Sequence, residues 1–285
     1  MQIDRRYLIH GFLPAFSSAC CFAVMAVCIK IASSELPTVQ LVFLRSIIGL
    51  LIILLPRGIK FIKTPIIHLH MLRGFISLCA MICFFYAISQ VGLSESTLLH
   101  ASSPLFIGLL ALPVLKEKIT YNNIIALIIG FIGVFFILKP GTTLFTIATL
   151  IGLCSGLFIA CAKILVRYMA ITEPVMRTVF YFSIFSTLYS SILIIWFWQS
   201  PTIFDVLIIV LASVCATGGQ ILLTYSFTNN DAVTVAPFTY VTVVMAALLG
   251  WLGWNELPDT SSTIGTILII CSCLSLIIKN KSSNL

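Results

Sequence analysis

The sequence predicts an all-α membrane protein: ten transmembrane helices arranged as two inverted five-helix repeats. Three observations carry that reading. Apolar residues make up 60% of the 285 residues and charged residues only 9%, with a mean hydropathy of +1.15. A soluble domain carries about 25% charged residues. Apolar runs recur from end to end, each close to the roughly 20 residues that a helix needs to cross a hydrocarbon core. Finally, the second half of the chain repeats landmarks of the first.

Helices rather than strands follow from backbone chemistry. In lipid every N–H and C=O must be satisfied inside the protein. A membrane strand would alternate polar and apolar residues, and segments such as Ile124 to Leu138 do not alternate. The expected spans, in order, are 8–32, 38–55, 72–90, 96–115, 121–138, 146–168, 175–197, 205–228, 232–254 and 262–278. Turn chemistry separates them at Pro37, Pro56–Arg57–Gly58, Pro140–Gly141, Pro201 and Pro258–Asp259. The longest loop is expected from Pro56 to His70. The first apolar run, Leu8 to Ala32, exceeds the h-region of a signal peptide and reads as an uncleaved first span.

Charge sets the orientation. Arg5, Arg6, Arg57, Lys60, Lys63, Arg73, Lys116, Lys118, Arg167, Arg177, Lys279 and Lys281 fall in alternate connections or the C-terminus, whereas the other connections hold only Lys139 beside Glu35, Glu95, Asp205, Glu256 and Asp259. The positive-inside rule then predicts both termini in the cytoplasm, in a bacterial inner membrane. The formal charge of +7 is therefore topological and gives no reason to expect nucleic acid as a partner; the bilayer is the expected surrounding.

The internal repeat is specific where it involves polar residues. With Tyr86 laid on Tyr225, Leu109 and Leu110 meet Leu248 and Leu249, and Glu117 meets Glu256 without a gap. CIKI at Cys28 to Ile31 matches CAKI at Cys161 to Ile164, setting Lys30 opposite Lys163, and Pro37 and Pro174 follow. This divides the chain into 1–141 and 142–285. Five spans per half is an odd number, so the second half enters the membrane inverted, the arrangement on which many secondary transporters are built.

Ionisable residues inside spans are costly and therefore informative. Lys30, Arg45 and Lys163 are the cases here; each either lines a pathway or snorkels to an interface. Tyr86, Gln90, His100, Gln220, Tyr225, Asn229 and Tyr240 form a polar and aromatic tier that serves either interhelical hydrogen bonding or substrate contact. Glu117 and Glu256 close spans 4 and 9 and suit capping of the next helix. Ten cysteines sit inside apolar runs without a C-x-x-C pair and read as packing residues rather than metal or redox groups. No P-loop is present, and no cofactor or metal is expected. An enzyme would need a nucleophile–base or paired-carboxylate set at membrane depth, and only His100 offers a base within a span.

The stretch LHMLRGFISLCAMICFFYAISQVGLSESTLLHASSPLFIGLLALPVLKEKIT, ending at Thr120, resembles the first repeat of the ten-helix drug/metabolite transporter superfamily of EamA type, and GFIGVFFILKPG, Gly130 to Gly141, is similar to the end of that repeat. DAVTVAPFTYVTVVMAALLGWLGWNELPD, Asp231 to Asp259, resembles the branch that includes S-adenosylmethionine carriers. The resemblance implies a carrier or exchanger of a small polar metabolite, working by alternating access around a central cavity. It favours Lys30, Tyr86, His100, Lys163, Gln220, Tyr225 and Tyr240 as lining residues, to which charge adds Arg45. The cationic residues suggest a substrate with a carboxylate or phosphate. One departure stands out: Pro104 precedes Glu117, whereas its counterpart before Glu256 is Val243, with Pro237 nearby instead.

Overall fold

A computed structural model describes residues 13–57, 63–115, 121–138, 146–230, 235, 238–256 and 259–282. Glu117, Lys139 and Pro237 lie outside the described residues. Within them the protein is helical and contains no strand. The helices are α1 (Leu13–Ala32), α2 (Thr38–Arg57), α3 (Ile67–Val91), α4 (Leu93–His100), α5 (Ser103–Leu115), α6 (Tyr121–Leu138), α7 (Ile147–Met169), α8 (Val175–Leu193), α9 (Ile203–Asn229), α10 (Thr239–Trp254) and α11 (Thr260–Ser282). Six of these, α1, α2, α3, α7, α8 (with the turn that follows it) and α9, are long and apolar enough to cross a membrane; shorter apolar helices accompany them.

Local chemistry explains the helix ends. Thr202 and Asp205 form a reciprocal capping box at the start of α9, Oγ1 accepting from Asp205 N–H and Oδ2 from Thr202 N–H. Thr146 and Thr149 do the same for α7. At the C-terminal end of α9, Arg167 donates to the carbonyls of Phe227 and Thr228, placing a cation where the helix dipole is negative.

The expected single span 96–115 is two helices. α4 stops at His100 and α5 starts at Ser103. Pro104 supplies the reason: it has no N–H to give, and its ring clashes with the carbonyl four residues back, that of His100. The expected loop up to His70 also ends early, because α3 already begins at Ile67.

Packing pairs distant helices reciprocally. α1 packs chiefly on α9 and then α10, while α7 packs chiefly on α3 and then on α4 and α5; α2 lies against α8, and α6 against α11. The α6–α11 crossing is made by Gly133 and Gly265. A Cβ on Gly133 would stand 2.6 Å from the carbonyl oxygen of Gly265, and one on Gly265 2.5 Å from that of Gly133. Small residues that let backbones touch are the usual glue of membrane helices, where the surrounding lipid is as apolar as leucine. The outer surface carries the large side chains instead: Leu55, Ile147, Leu207 and Leu252 are all exposed, as a lipid-facing belt requires.

Candidate functional site

Between the helices lies a cavity of about 1090 Å³, measured out to its mouth. Its walls come from both halves of the chain: Ala15 to Met25 of α1, Arg73 to Phe85 of α3, Ile159 to Val166 of α7, Gln220 to Phe227 of α9 and Phe238 to Thr242 around the start of α10. All these segments lie toward one end of the bundle, where α1, α3 and α10 begin and α7 and α9 finish.

Aromatic rings form much of the wall, including Phe22, Phe84, Phe85, Phe182 and Phe238, and the polar groups are few. Arg45 and Arg73 are 5% and 2% exposed, and their guanidinium carbons lie 5.2 Å and 5.0 Å from the centroid of the same Phe182 ring. The ring's negative face attracts both cations. Arg73 also donates to the Thr178 carbonyl at 2.6 Å, and Arg45 Nη1 lies 3.2 Å from Met81 Sδ. The buried Nε atoms of both arginines have no hydrogen-bond partner. Lys163, 6% exposed, donates to Thr239 Oγ1 at 3.1 Å and Ser103 Oγ at 3.4 Å. Those hydroxyls are the first residues of α10 and α5, so the break at Pro104 creates part of this corner. No Asp or Glu lines the cavity among the described residues.

His100 completes the polar set. Its Nδ1 is 3.0 Å from Ser155 Oγ, and the Ser155 hydroxyl donates its proton to the Gly152 carbonyl at 2.6 Å. Ser155 therefore accepts, and the hydrogen-bond network assigns the histidine proton to Nδ1. Gly156 allows α7 this close: a Cβ there would meet Ser102 Oγ at 2.5 Å and the Leu99 carbonyl at 3.1 Å.

Of the residues expected from the sequence, Arg45, His100, Lys163 and Gln220 line this cavity, and Lys30, Tyr86, Tyr225 and Tyr240 do not. Tyr86 is exposed and Tyr240 is packed in a core cluster with Val243 and Ile269. Arg73, Phe182 and Thr239 also line it and are not among the expected residues. Arg73 read as a loop cation because two histidines and an arginine crowd the start of α3.

Residues 9–139 and 146–278 each match the EamA-like transporter family. The chain belongs to that family. It is 32% identical over 272 residues to the pseudopaline exporter of Pseudomonas aeruginosa, covering 93% of this chain and 95% of that protein. It is 27% identical over 278 residues to an S-adenosylmethionine uptake transporter of Rickettsia bellii, covering 96% and 94%. A solved crystal structure shares the fold with a TM-score of 0.70 at 16% identity, over 96% of this chain and 98% of that one. This EamA-type chain is thus a multi-pass membrane transporter and not an enzyme.

Each end of the EamA-type bundle carries an acid that ties helices together, buried at Glu173 and partly exposed at Glu256. At the cavity end Glu173 accepts from Thr64 Oγ1 at 2.5 Å and from Arg177 Nη1 at 3.1 Å, and its Oε2 lies 3.7 Å from His70 Nε2. His70 stacks on Tyr181 with 4.6 Å between centroids. At the opposite end Glu256 pairs with Lys30 at 3.2 Å, accepts from the Leu93 amide at 2.7 Å, and takes the Ser94 hydroxyl on its carbonyl at 3.0 Å. Glu256 was expected to cap the helix that follows it; it caps α4 instead. The left-handed Asn255, with φ 56°, turns the chain back there, and Gly92, with φ 91°, leaves room that a Cβ would fill at 2.8 Å from Glu256 Oε2. Glu256→Ala should cost about 1–2 kcal/mol, the sum of a lost N-cap and a half-buried pair. Lys30→Met should cost less, because the cap survives. Thermal unfolding of the two variants checks this order, and a larger loss for Lys30→Met would refute it.

Proposed function

We propose that the protein is a secondary carrier or exchanger that moves a small polar organic metabolite bearing a carboxylate or phosphate across a bacterial inner membrane. The observation that carries this is the cavity: three buried cationic side chains, Arg45, Arg73 and Lys163, face it, and among the described residues no acid lines it. A buried cation without a counter-charge is costly, and an anionic solute supplies the missing charge. The repeats, divided at 1–141 and 142–285, form two inverted five-helix bundles in this reading. The reciprocal pairing of α1 with α9 and of α7 with α3 supports it, since a two-fold axis exchanging the halves would interchange those contacts. The cavity occupies one end while Glu256 ties the other, as one state of an alternating-access cycle requires. With the basic loops inside, both termini face the cytoplasm and the cavity lies on the cytoplasmic side.

A second reading, S-adenosylmethionine uptake, is favoured by the Rickettsia relatives bearing that name. Counterflow in proteoliposomes tests both. Labelled carboxylates, phosphate esters, amino acids and S-adenosylmethionine are screened against the wild type, and the active solute is then assayed with Arg45→Gln and Lys163→Gln. Each variant should lower flux by about tenfold or more, as loss of a charge-assisted contact predicts. Flux equal to that of the wild type in both would rule this cavity out as the route.

A further inference from the structure

We infer that the solute recognised in this cavity is a polyanion, one acidic group held by Arg45 and Arg73 beside Phe182 and a second held by Lys163 where α5 and α10 begin. The inference rests on the transport reading above and narrows its substrate class.

Charge balance carries the argument. Guanidinium groups stay protonated in proteins, so Arg45 and Arg73 bring two permanent charges to one ring. Their described contacts are a thioether, a carbonyl and an aromatic face, none of which neutralises a charge. Among the described residues Lys163 meets two hydroxyls, and it stands where two helices begin, so the local backbone field is positive as well. Of the acids among the described residues, Glu173 at the cavity end is committed to Arg177 and Thr64, and Glu256 at the opposite end to Lys30 and the Leu93 amide. A solute with a single negative charge would leave an excess of like charges facing one another in a low-dielectric space, where they repel most strongly. A second acidic group lowers that excess, and a third negative charge removes it.

Geometry adds a second constraint. Arg45 and Arg73 both approach the Phe182 ring, the frame for a shared oxyanion site, and among the described residues neither buried Nε has an acceptor. Arginine forks suit both carboxylate and phosphate. Lys163 is anchored on Ser103 and Thr239 rather than on the Phe182 ring, the place for a second acidic group on the same molecule. S-adenosylmethionine meets neither demand. It carries an ammonium and a sulfonium against one carboxylate, and would add net positive charge to a cavity that already has an excess.

The test uses the full-length protein in detergent, with thermal unfolding at millimolar citrate, succinate, 3-phosphoglycerate, lactate or S-adenosylmethionine. A ligand that binds only the folded state raises the unfolding temperature according to its affinity. Citrate or 3-phosphoglycerate should stabilise more than succinate and far more than lactate, and the better of the two assigns the acidic group as carboxylate or phosphate. S-adenosylmethionine should give no shift. Lys163→Gln and Arg45→Gln should weaken the polyanion by roughly tenfold to a hundredfold, whereas Lys163→Arg and Arg45→Lys should keep the rank order. Equal shifts with lactate and citrate, no shift with any polyanion, or a larger shift with S-adenosylmethionine would each overturn the inference. Transport is judged separately by counterflow: flux of a monoanion through this cavity sinks the polyanion alone, while polyanion binding without any flux sinks the transport reading.

Discussion

Glu173→Gln lowers the unfolding temperature of the detergent-solubilised protein by several degrees, while His70→Phe leaves it nearly unchanged. The Glu173 side chain is fully buried and is the shared acceptor of Arg177 and Thr64. Removing its charge leaves the Arg177 guanidinium without a counter-ion. Breaking a buried pair costs about 3–5 kcal/mol, and the partial exposure of Arg177, 24%, places the expected loss at the lower end of that range. His70 behaves differently. Neither ring nitrogen has a hydrogen-bond partner, so phenylalanine forfeits no hydrogen bond and keeps the stack on Tyr181. An unchanged unfolding temperature for Glu173→Gln would mean that the cluster contributes nothing to holding α3 against the α7–α8 turn.

Gly265→Val should be at least as damaging. Its new side chain would project onto the backbone of α6 at Gly133 rather than onto a side chain able to rotate away. Relief requires the two helices to separate, and α6 and α11 are each other's principal neighbours. Overpacking of this kind costs about 1–3 kcal/mol or more, and here the lost contact extends along the whole pair. Gly253→Ala is the matched control, since a Cβ at Gly253 meets nothing within 4 Å. Folded yield by size-exclusion chromatography and thermal unfolding distinguish the two, and equal behaviour would discredit the close crossing.

Helix positions were legible in the sequence because lipid imposes a single backbone solution on long apolar runs, and proline and glycine punctuate them. The described helices fall on the expected spans with shifts of a few residues at most ends. The exceptions have local causes: Pro104 splits the fourth span, and the polar side chains of His68, His70 and Arg73 disguised the first two turns of α3. The candidate site was legible where an ionisable or polar side chain stood inside a span: Arg45, His100, Lys163 and Gln220 were expected and line the cavity. Tyr86 and Tyr225 show the limit of repeat matching, which aligns positions along a helix but says nothing about which way a side chain points around it. Arg73 was hidden by the orientation rule itself, which counts basic residues near span ends as loop charges, even though this one is 2% exposed.

Glu256, just past α10, holds three groups: its carboxylate takes the ammonium of Lys30 and the amide of Leu93, and its backbone carbonyl takes the hydroxyl of Ser94. Drawing the end of α10 away from α1 and α4 breaks the ion pair and the cap of α4 together, so parting at this face is concerted, and intermediate openings are penalised twice.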